Sequence, residues 1–424
     1  MQRCLVVSLF IVGVLLLSGA ARGQALTHRG FVEGRGQLFP QDTPNDPTQA
    51  IADLLVREEV FATPASWLRV AAGLDLRASS HDQIEDEWQV DVGDRGVRRP
   101  RLSLRRATAT MAYRRVTLEV GKQFIRWGRT DILNPTDRIA PRDFLNVLDT
   151  DFLPVLGLRA VARARAQDGI EVVLLPRFTP SRIPLLNQRW AAVPPGSPQI
   201  QIVDAGAVLP TGTQTGIRWN HVGDRLEYSA SFFDGFNHLP DIEAVVRPSQ
   251  RRVEASETVV PEVDVTRIYP PIRSYGADVA LPTKWLTLKG ELAYFTSSSL
   301  TTDEYVMYVI EVERQTGEWM LVGGYAGEAV SDRRAAATFA PDRGLTDSAV
   351  GRASYTIDPN RSVAFEAAIR RDLSGAYGKA EYSQAYGQHW RATAAAVLLR
   401  GDADDFLGQY RRNSHLSIAL RYSF

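Results

Sequence analysis

The last ten residues, HLSIALRYSF, constrain the fold more than any other stretch. Leu416, Ile418, Leu420, Tyr422 and Phe424 fall on one face of an extended strand. His415, Ser417, Ala419, Arg421 and Ser423 fall on the other. Side chains alternate faces along a strand, so a period of two makes one apolar row and one polar row. A soluble sheet with one wet face satisfies the same pattern. The choice between water and lipid outside the strand therefore rests on the rest of the chain.

The first residues read MQRCLVVSLFIVGVLLLSGAARGQA. Arg3 is a positive start, and residues 4–17 form an apolar core too short to span a bilayer comfortably. Ala21, Arg22 and Gly23 fit an A-x-A-like cleavage site. The expectation is a signal peptide over 1–23 and a single mature domain over 24–424. The only cysteine, Cys4, lies in the signal, so the mature chain is expected to hold no disulfide and no thiolate metal site.

No later stretch approaches the roughly 20 apolar residues of a spanning helix. A membrane protein built without such helices must be a closed barrel, because lipid cannot satisfy an open backbone edge. Charged residues make up 23% of the chain, which suits a barrel with a wet interior. Lys plus Arg and Asp plus Glu are equal at 49 each, so no bulk charge points to nucleic acid.

Alternating segments recur throughout. The first is expected over 28–39, and pairs follow at 52–61 with 67–78, 101–113 with 116–126, and 156–166 with 170–178. Further pairs are 215–221 with 225–234, 272–281 with 285–295, 304–313 with 318–325, 350–357 with 362–371, and 376–384 with 390–400. The closing strand completes the set. Turns within pairs are short, Gln167-Asp168-Gly169 being a strong hairpin signal. Most connections between pairs are long. The expectation is an all-β, antiparallel transmembrane barrel of about 16–18 strands, 18 favoured, with short periplasmic turns and long extracellular loops. The lower number applies if 304–325 is a hairpin above the membrane. Either size leaves a lumen too wide for side chains to fill. Few residues precede the first strand, so no N-terminal plug is expected.

A charged side chain facing lipid at the midplane costs about 2–4 kcal/mol for Arg or Lys, which fixes the inward rows. The candidate pore-lining residues are Arg159, Arg163, Arg165, Arg177, Arg218, Lys289, Glu291, Glu366, Arg370 and Arg421. The same rows carry Arg352, Lys379 and Arg391, with Glu119, Glu171, Glu227, Asp278 and Glu381. Basic groups outnumber acidic ones, so a preference for anions is expected. Trp67, Tyr113, Trp285, Trp390 and Phe424 lie near the short turns and suit an aromatic girdle.

Residues 121–154 read GKQFIRWGRTDILNPTDRIAPRDFLNVLDTDFLP. The pattern G-K-Q-x-x-R-W-G followed by T-D-x-x-N-P-T-D resembles a loop segment of porin-like outer-membrane proteins with large loops, a group related to the polysaccharide-export porins. The closing strand is similar to that of bacterial outer-membrane proteins, which typically ends in Phe. From this resemblance, Leu420, Tyr422 and Phe424 are expected to act as the signal read by the barrel-assembly machinery. It also implies a passive channel set among lipid and lipopolysaccharide. Arg126, Arg129, Arg138 and Arg142 stand among Asp131, Asp137 and Asp143, with Trp127, Phe144 and Phe152 as apolar anchors. This density of charge and anchors fits a folded segment, turned into the lumen as a constriction loop or held outward by its own ion pairs. Its carboxylates lack the regular spacing of a calcium loop.

Six histidines, at 28, 81, 221, 238, 389 and 415, are scattered. No HExxH pair and no GxSxG elbow is present. No enzyme, cofactor or metal is therefore expected. The expected function is passive diffusion of small hydrophilic solutes, anions favoured; the alternative is a non-conducting structural or adhesive barrel.

Overall fold

The structure, a computed structural model, describes residues 26–191, 201–247, 262–334 and 340–424. The signal peptide expected over 1–23 lies outside the described residues. The main sheet has nineteen strands, one of which is the two-residue loop strand Val90–Asp91. The other eighteen form the barrel. They are β1 (Thr27–Leu38), β2 (Ala50–Ala65), β3 (Leu68–Ser79), β4 (Leu102–Tyr113), β5 (Val116–Gln123) and β6 (Val155–Arg163). Next come β7 (Asp168–Leu175), β8 (Gln214–Val222), β9 (Glu227–Phe236), β10 (Pro271–Pro282), β11 (Thr287–Thr296) and β12 (Glu304–Thr316). The last six are β13 (Trp319–Asp332), β14 (Ser348–Asp358), β15 (Arg361–Arg370), β16 (Gly375–Tyr386), β17 (Trp390–Gly401) and β18 (His415–Ser423).

Each strand pairs antiparallel with the next, and β18 pairs with β1 from Leu416↔Leu38 to Ser423↔Phe31. The sheet thus has no free edge, as a bilayer requires. The 304–325 hairpin belongs to the barrel wall as β12 and β13, so the count is eighteen.

At the seam, Gly30 and Phe424 exchange backbone hydrogen bonds of 2.9 and 3.0 Å. A Cβ on Gly30 would meet the Phe424 ring at 2.7 Å, so the missing side chain makes room for the terminal aromatic. The outward row of β18 is well exposed, Ile418 by 67%, which is the surface expected against lipid chains. Trp67, Tyr113, Trp285, Trp390 and Phe424 are exposed near the short-turn end.

At the other end, two long connections build a small sheet of their own. Gln201–Val208 runs parallel to Glu262–Ile268, which pairs antiparallel with Asp241–Arg247. No described helix is long and apolar enough to cross a membrane.

Candidate functional site

The connection over 124–154 runs inside the barrel, and the inner wall is shaped to hold it. Ile125, Trp127 and Ile139 pack on Val173, Leu175, Phe233 and Ile272, the inward apolar residues of β7, β9 and β10. Leu133 packs on Ala293, Phe295, Met307 and Val309 of β11 and β12. Val147 reaches Ala368, Val397 and Leu399 of β15 and β17. The segment thus follows the wall around much of its circumference. Gly216 of β8 permits its closest approach, since a Cβ there would meet the Trp127 ring at 2.7 Å.

Polar anchors fix the tip. Glu291 of β11 accepts the backbone N–H groups of Arg129 (2.8 Å), Thr130 (3.1 Å) and Thr136 (2.8 Å), and the Thr136 hydroxyl at 2.8 Å. A carboxylate with that many donors is fully satisfied although only 3% exposed. Arg129 pairs with Asp278 and Glu227, and Asp278 also holds Arg218 at 2.6 Å. Lys289 lies 2.6 Å from Asp131, 3.2 Å from Glu311 and 2.6 Å from Glu313. These three carboxylates lie close enough to hold a cation, and the Lys289 ammonium already supplies one. The Trp127 indole donates to Glu171 at 2.9 Å, which also pairs with Arg159 at 2.8 Å.

The rest of the segment is held by charge. The Trp127 and Gly128 N–H groups donate to Asp137, and Arg138 pairs with Asp342. Arg126 and Arg142 lie 4.0 and 4.3 Å from the centre of the Phe152 ring. Asp143 sits between Arg99 (2.8 Å) and Arg182 (3.4 Å). Burial opposes its charge, but the two guanidinium groups outweigh that and hold its carboxyl at about 2. Asp94 of the neighbouring loop is also lowered: burial is outweighed by Arg182 and Lys122.

The opposite wall, β1 to β4, borders a cavity lined by charged side chains of both signs, with arginines clustered around Asp75. Arg57 binds Asp75 at 2.7 and 2.8 Å, Arg77 at 2.6 Å and Arg105 lies at 3.8 Å. Three guanidinium groups thus converge on one carboxylate that is 1% exposed. The β3–β4 register shifts between Gly73 and Leu74, a bulge. Arg105 and Arg106 both lie over the Phe124 ring as a result, at 4.7 and 5.9 Å. The cavity, of about 260 Å³, is lined by Arg57, Arg77, Arg105, Arg421, Asp149 and Phe152 among others. Asp149 crosses it to Arg35 at 2.5 Å.

The residues singled out from sequence therefore separate. Arg218, Lys289 and Glu291 point inward but are covered by the 124–154 segment rather than bordering open lumen. Arg370 binds Asp405 at 2.8 Å and is likewise occupied. Arg165 lies in a turn and Arg177 beyond the end of β7, so neither stands on a strand of the wall. Arg163 is the last residue of β6. Arg159 and Glu366 stand on inward rows, and Arg421 borders the cavity, paired with Glu33 at 2.6 Å. Sequence reasoning missed Arg57, Arg77, Arg105 and Arg106. Alternation in 74–77 opposes Asp75 and Arg77 to Leu74 and Leu76 and was the available signal; no pattern announces the bulge. Among the described residues, no histidine ring bonds a serine or threonine hydroxyl.

No protein-family model and no curated relative matches the sequence. Solved structures do. The chain is similar to OpdQ of Pseudomonas aeruginosa, with TM-score 0.52 and 10% identity over 95% of this chain and 99% of that one. A BenF-like porin from Pseudomonas fluorescens Pf-5 gives 0.55 and 9% over 95% and 98%. OccAB4 of Acinetobacter baumannii gives 0.53 and 10% over 95% and 99%. At such identities the likeness is one of fold, that of an integral outer-membrane barrel. The relation to polysaccharide-export porins receives no support from it.

Proposed function

We propose that the chain is an outer-membrane porin: a passive channel for small hydrophilic solutes, with a preference for anions. The observation that carries this reading is the division of the lumen. One sector is filled by the 124–154 segment, and the facing sector holds a water-accessible cavity rimmed by Arg57, Arg77, Arg105 and Arg421. The whole lining is balanced, with seven arginines and seven carboxylates, but Arg57, Arg77 and Arg105 share the single carboxylate of Asp75, so the preference for anions rests on that local cluster. Rings of fixed charge at a narrow point set selectivity in channels. In this reading Arg126, Arg129, Asp131, Asp137, Arg138, Arg142 and Asp143 build the constriction rather than touch the solute. Arg159, Glu366 and Arg421 belong to the lining. Residues 1–23 direct export, Leu420, Tyr422 and Phe424 are read during assembly, and lipid with lipopolysaccharide surrounds the barrel.

The test is conductance in a planar bilayer, followed by reversal potential across a salt gradient. A conducting, anion-selective pore is expected. A barrel that inserts without conducting would instead be a structural or adhesive one.

A further inference from the structure

Three neighbouring turns at the periplasmic end carry more arginines than carboxylates. They join β4 to β5, β6 to β7 and β8 to β9. They are physically continuous: the Arg163 N–H donates to the Arg115 carbonyl at 2.8 Å, and the Val222 N–H to the Gln167 carbonyl at 2.8 Å. Arg114, Arg115, Arg163, Arg165 and Arg225 are all exposed there. The acidic residues on the same turns are Asp168 and Asp224, and Asp168 is engaged by His221 at 2.9 Å. None of the five arginines forms a salt bridge among the described residues. The other turns differ. Asp358 and Arg361 pair with each other, Glu318 follows Arg314, and Lys284 stands alone on its turn.

The local backbone is chosen against turn chemistry. Arg114 has φ 52°, the left-handed region that Gly or Asn fills at least cost in a tight hairpin. Arg-Arg is a poor turn sequence, so its presence calls for another cause. Depth supplies it. Tyr113 precedes Arg114 directly, is 70% exposed on the lipid side, and carries the Arg114 guanidinium 5.2 Å from its ring centre. Interfacial aromatics sit at the level of the headgroups. The Arg114 guanidinium, stacked on that ring, is therefore set at the level of the headgroups. Guanidinium is the side chain that best matches a phosphate oxygen pair.

We propose that this quadrant of the rim, centred on Arg114, Arg115, Arg165 and Arg225, binds the headgroup phosphates of anionic phospholipid in the periplasmic leaflet. The site rests on the membrane-embedded fold and is independent of any conduction through the lumen. Arg163 adds to the field, but it closes a wall strand and is left unchanged in the test.

The experiment titrates the full-length barrel in detergent with short-chain phosphatidylglycerol, read by native mass spectrometry and calorimetry. One variant combines Arg114→Gln, Arg115→Gln, Arg165→Gln and Arg225→Gln. A control combines Lys284→Gln and Arg361→Gln elsewhere on the rim. Wild type and control should bind phosphatidylglycerol, more weakly as salt rises. The fourfold variant should bind at least about tenfold more weakly, since each basic group near an anionic surface contributes roughly a fivefold factor. Heat-modifiable migration checks its folding, and single variants Arg165→Gln and Arg225→Gln give the same readout if it does not fold. Equal binding by the variants overturns the proposal. So does equal binding of short-chain phosphatidylcholine, displacement by equimolar inorganic phosphate, or binding of peptidoglycan fragments with phosphatidylglycerol inert.

Discussion

Thr136 and Glu291 lie 155 residues apart in the chain and are joined by two hydrogen bonds of 2.8 Å, one from the backbone N–H and one from the hydroxyl. The pair ties the tip of an internal loop to the far wall. Replacing Glu291 by Ala leaves three backbone N–H groups without their acceptor. Each buried orphan costs about 1–3 kcal/mol, which is enough to free the tip without unfolding the barrel. Glu291→Ala should raise single-channel conductance and expose Arg129 to trypsin in folded protein. Unchanged conductance with an intact loop would show that the apolar contacts hold it alone.

Selectivity should follow the bulge. Arg105→Gln with Arg106→Gln removes two positive charges and leaves Asp75 its ion pairs with Arg57 and Arg77. The reversal potential should move toward the cation side. The change should be largest at low salt, because screening acts over about 8 Å at physiological ionic strength. A wild-type pore that prefers cations, or a double variant that matches wild type at low salt, would count against a selective role for the arginines at the bulge.

The sequence showed the wall more readily than the interior. All eighteen strands were legible because lipid outside and water inside impose a period of two. The pattern weakens at 304–325 for a physical reason. Met307 and Val309 point inward and are buried under Leu133 of the loop, so both faces of β12 are apolar. The same covering hid the fate of Lys289 and Glu291, whose inward direction was readable but whose loop partners were not. Arg105 and Arg106 were hidden by a register shift that no local residue announces.

Acid should destabilise the loop region through His238. Its ring stacks on Phe178 at 5.3 Å, and its Nδ1–H donates to the Thr179 carbonyl at 2.7 Å. Burial lowers its pKa from 6.5 to about 4, outweighing that hydrogen bond. Between these values the unfolded chain binds a proton that the folded one does not. Stability is therefore full above 6.5 and falls as pH drops toward 4, by on the order of 3 kcal/mol at most. His238→Phe should flatten this window in thermal unfolding followed by near-UV dichroism. Asp143 acts lower, its contribution being lost only as pH falls from its ordinary value toward 2. A pH profile of His238→Phe identical to wild type would exclude the histidine as the cause.

Topology can be read by thiol labelling. A cysteine replacing Asn360 sits in a two-residue turn after β14, and one replacing Leu373, 80% exposed, sits in the connection after β15. An impermeant maleimide applied to whole cells should label the Leu373 position and spare the Asn360 position. Labelling at both would mean that the strand pairing or its orientation is different.

The Gly30–Phe424 pair also governs when the molecule can exist at all. The two residues meet across nearly the whole length of the chain, so the contact that removes the last open edge is also the most remote in sequence. Closing so long a loop carries an entropic cost before any hydrogen bond repays it. A ribosome that has released all but the last strand has made a sheet with two unsatisfied edges, which is a template for aggregation. Such a chain cannot ripen segment by segment as it emerges. Pairing of β1 with β18 is the step that completes the barrel, and it has to wait for the last strand.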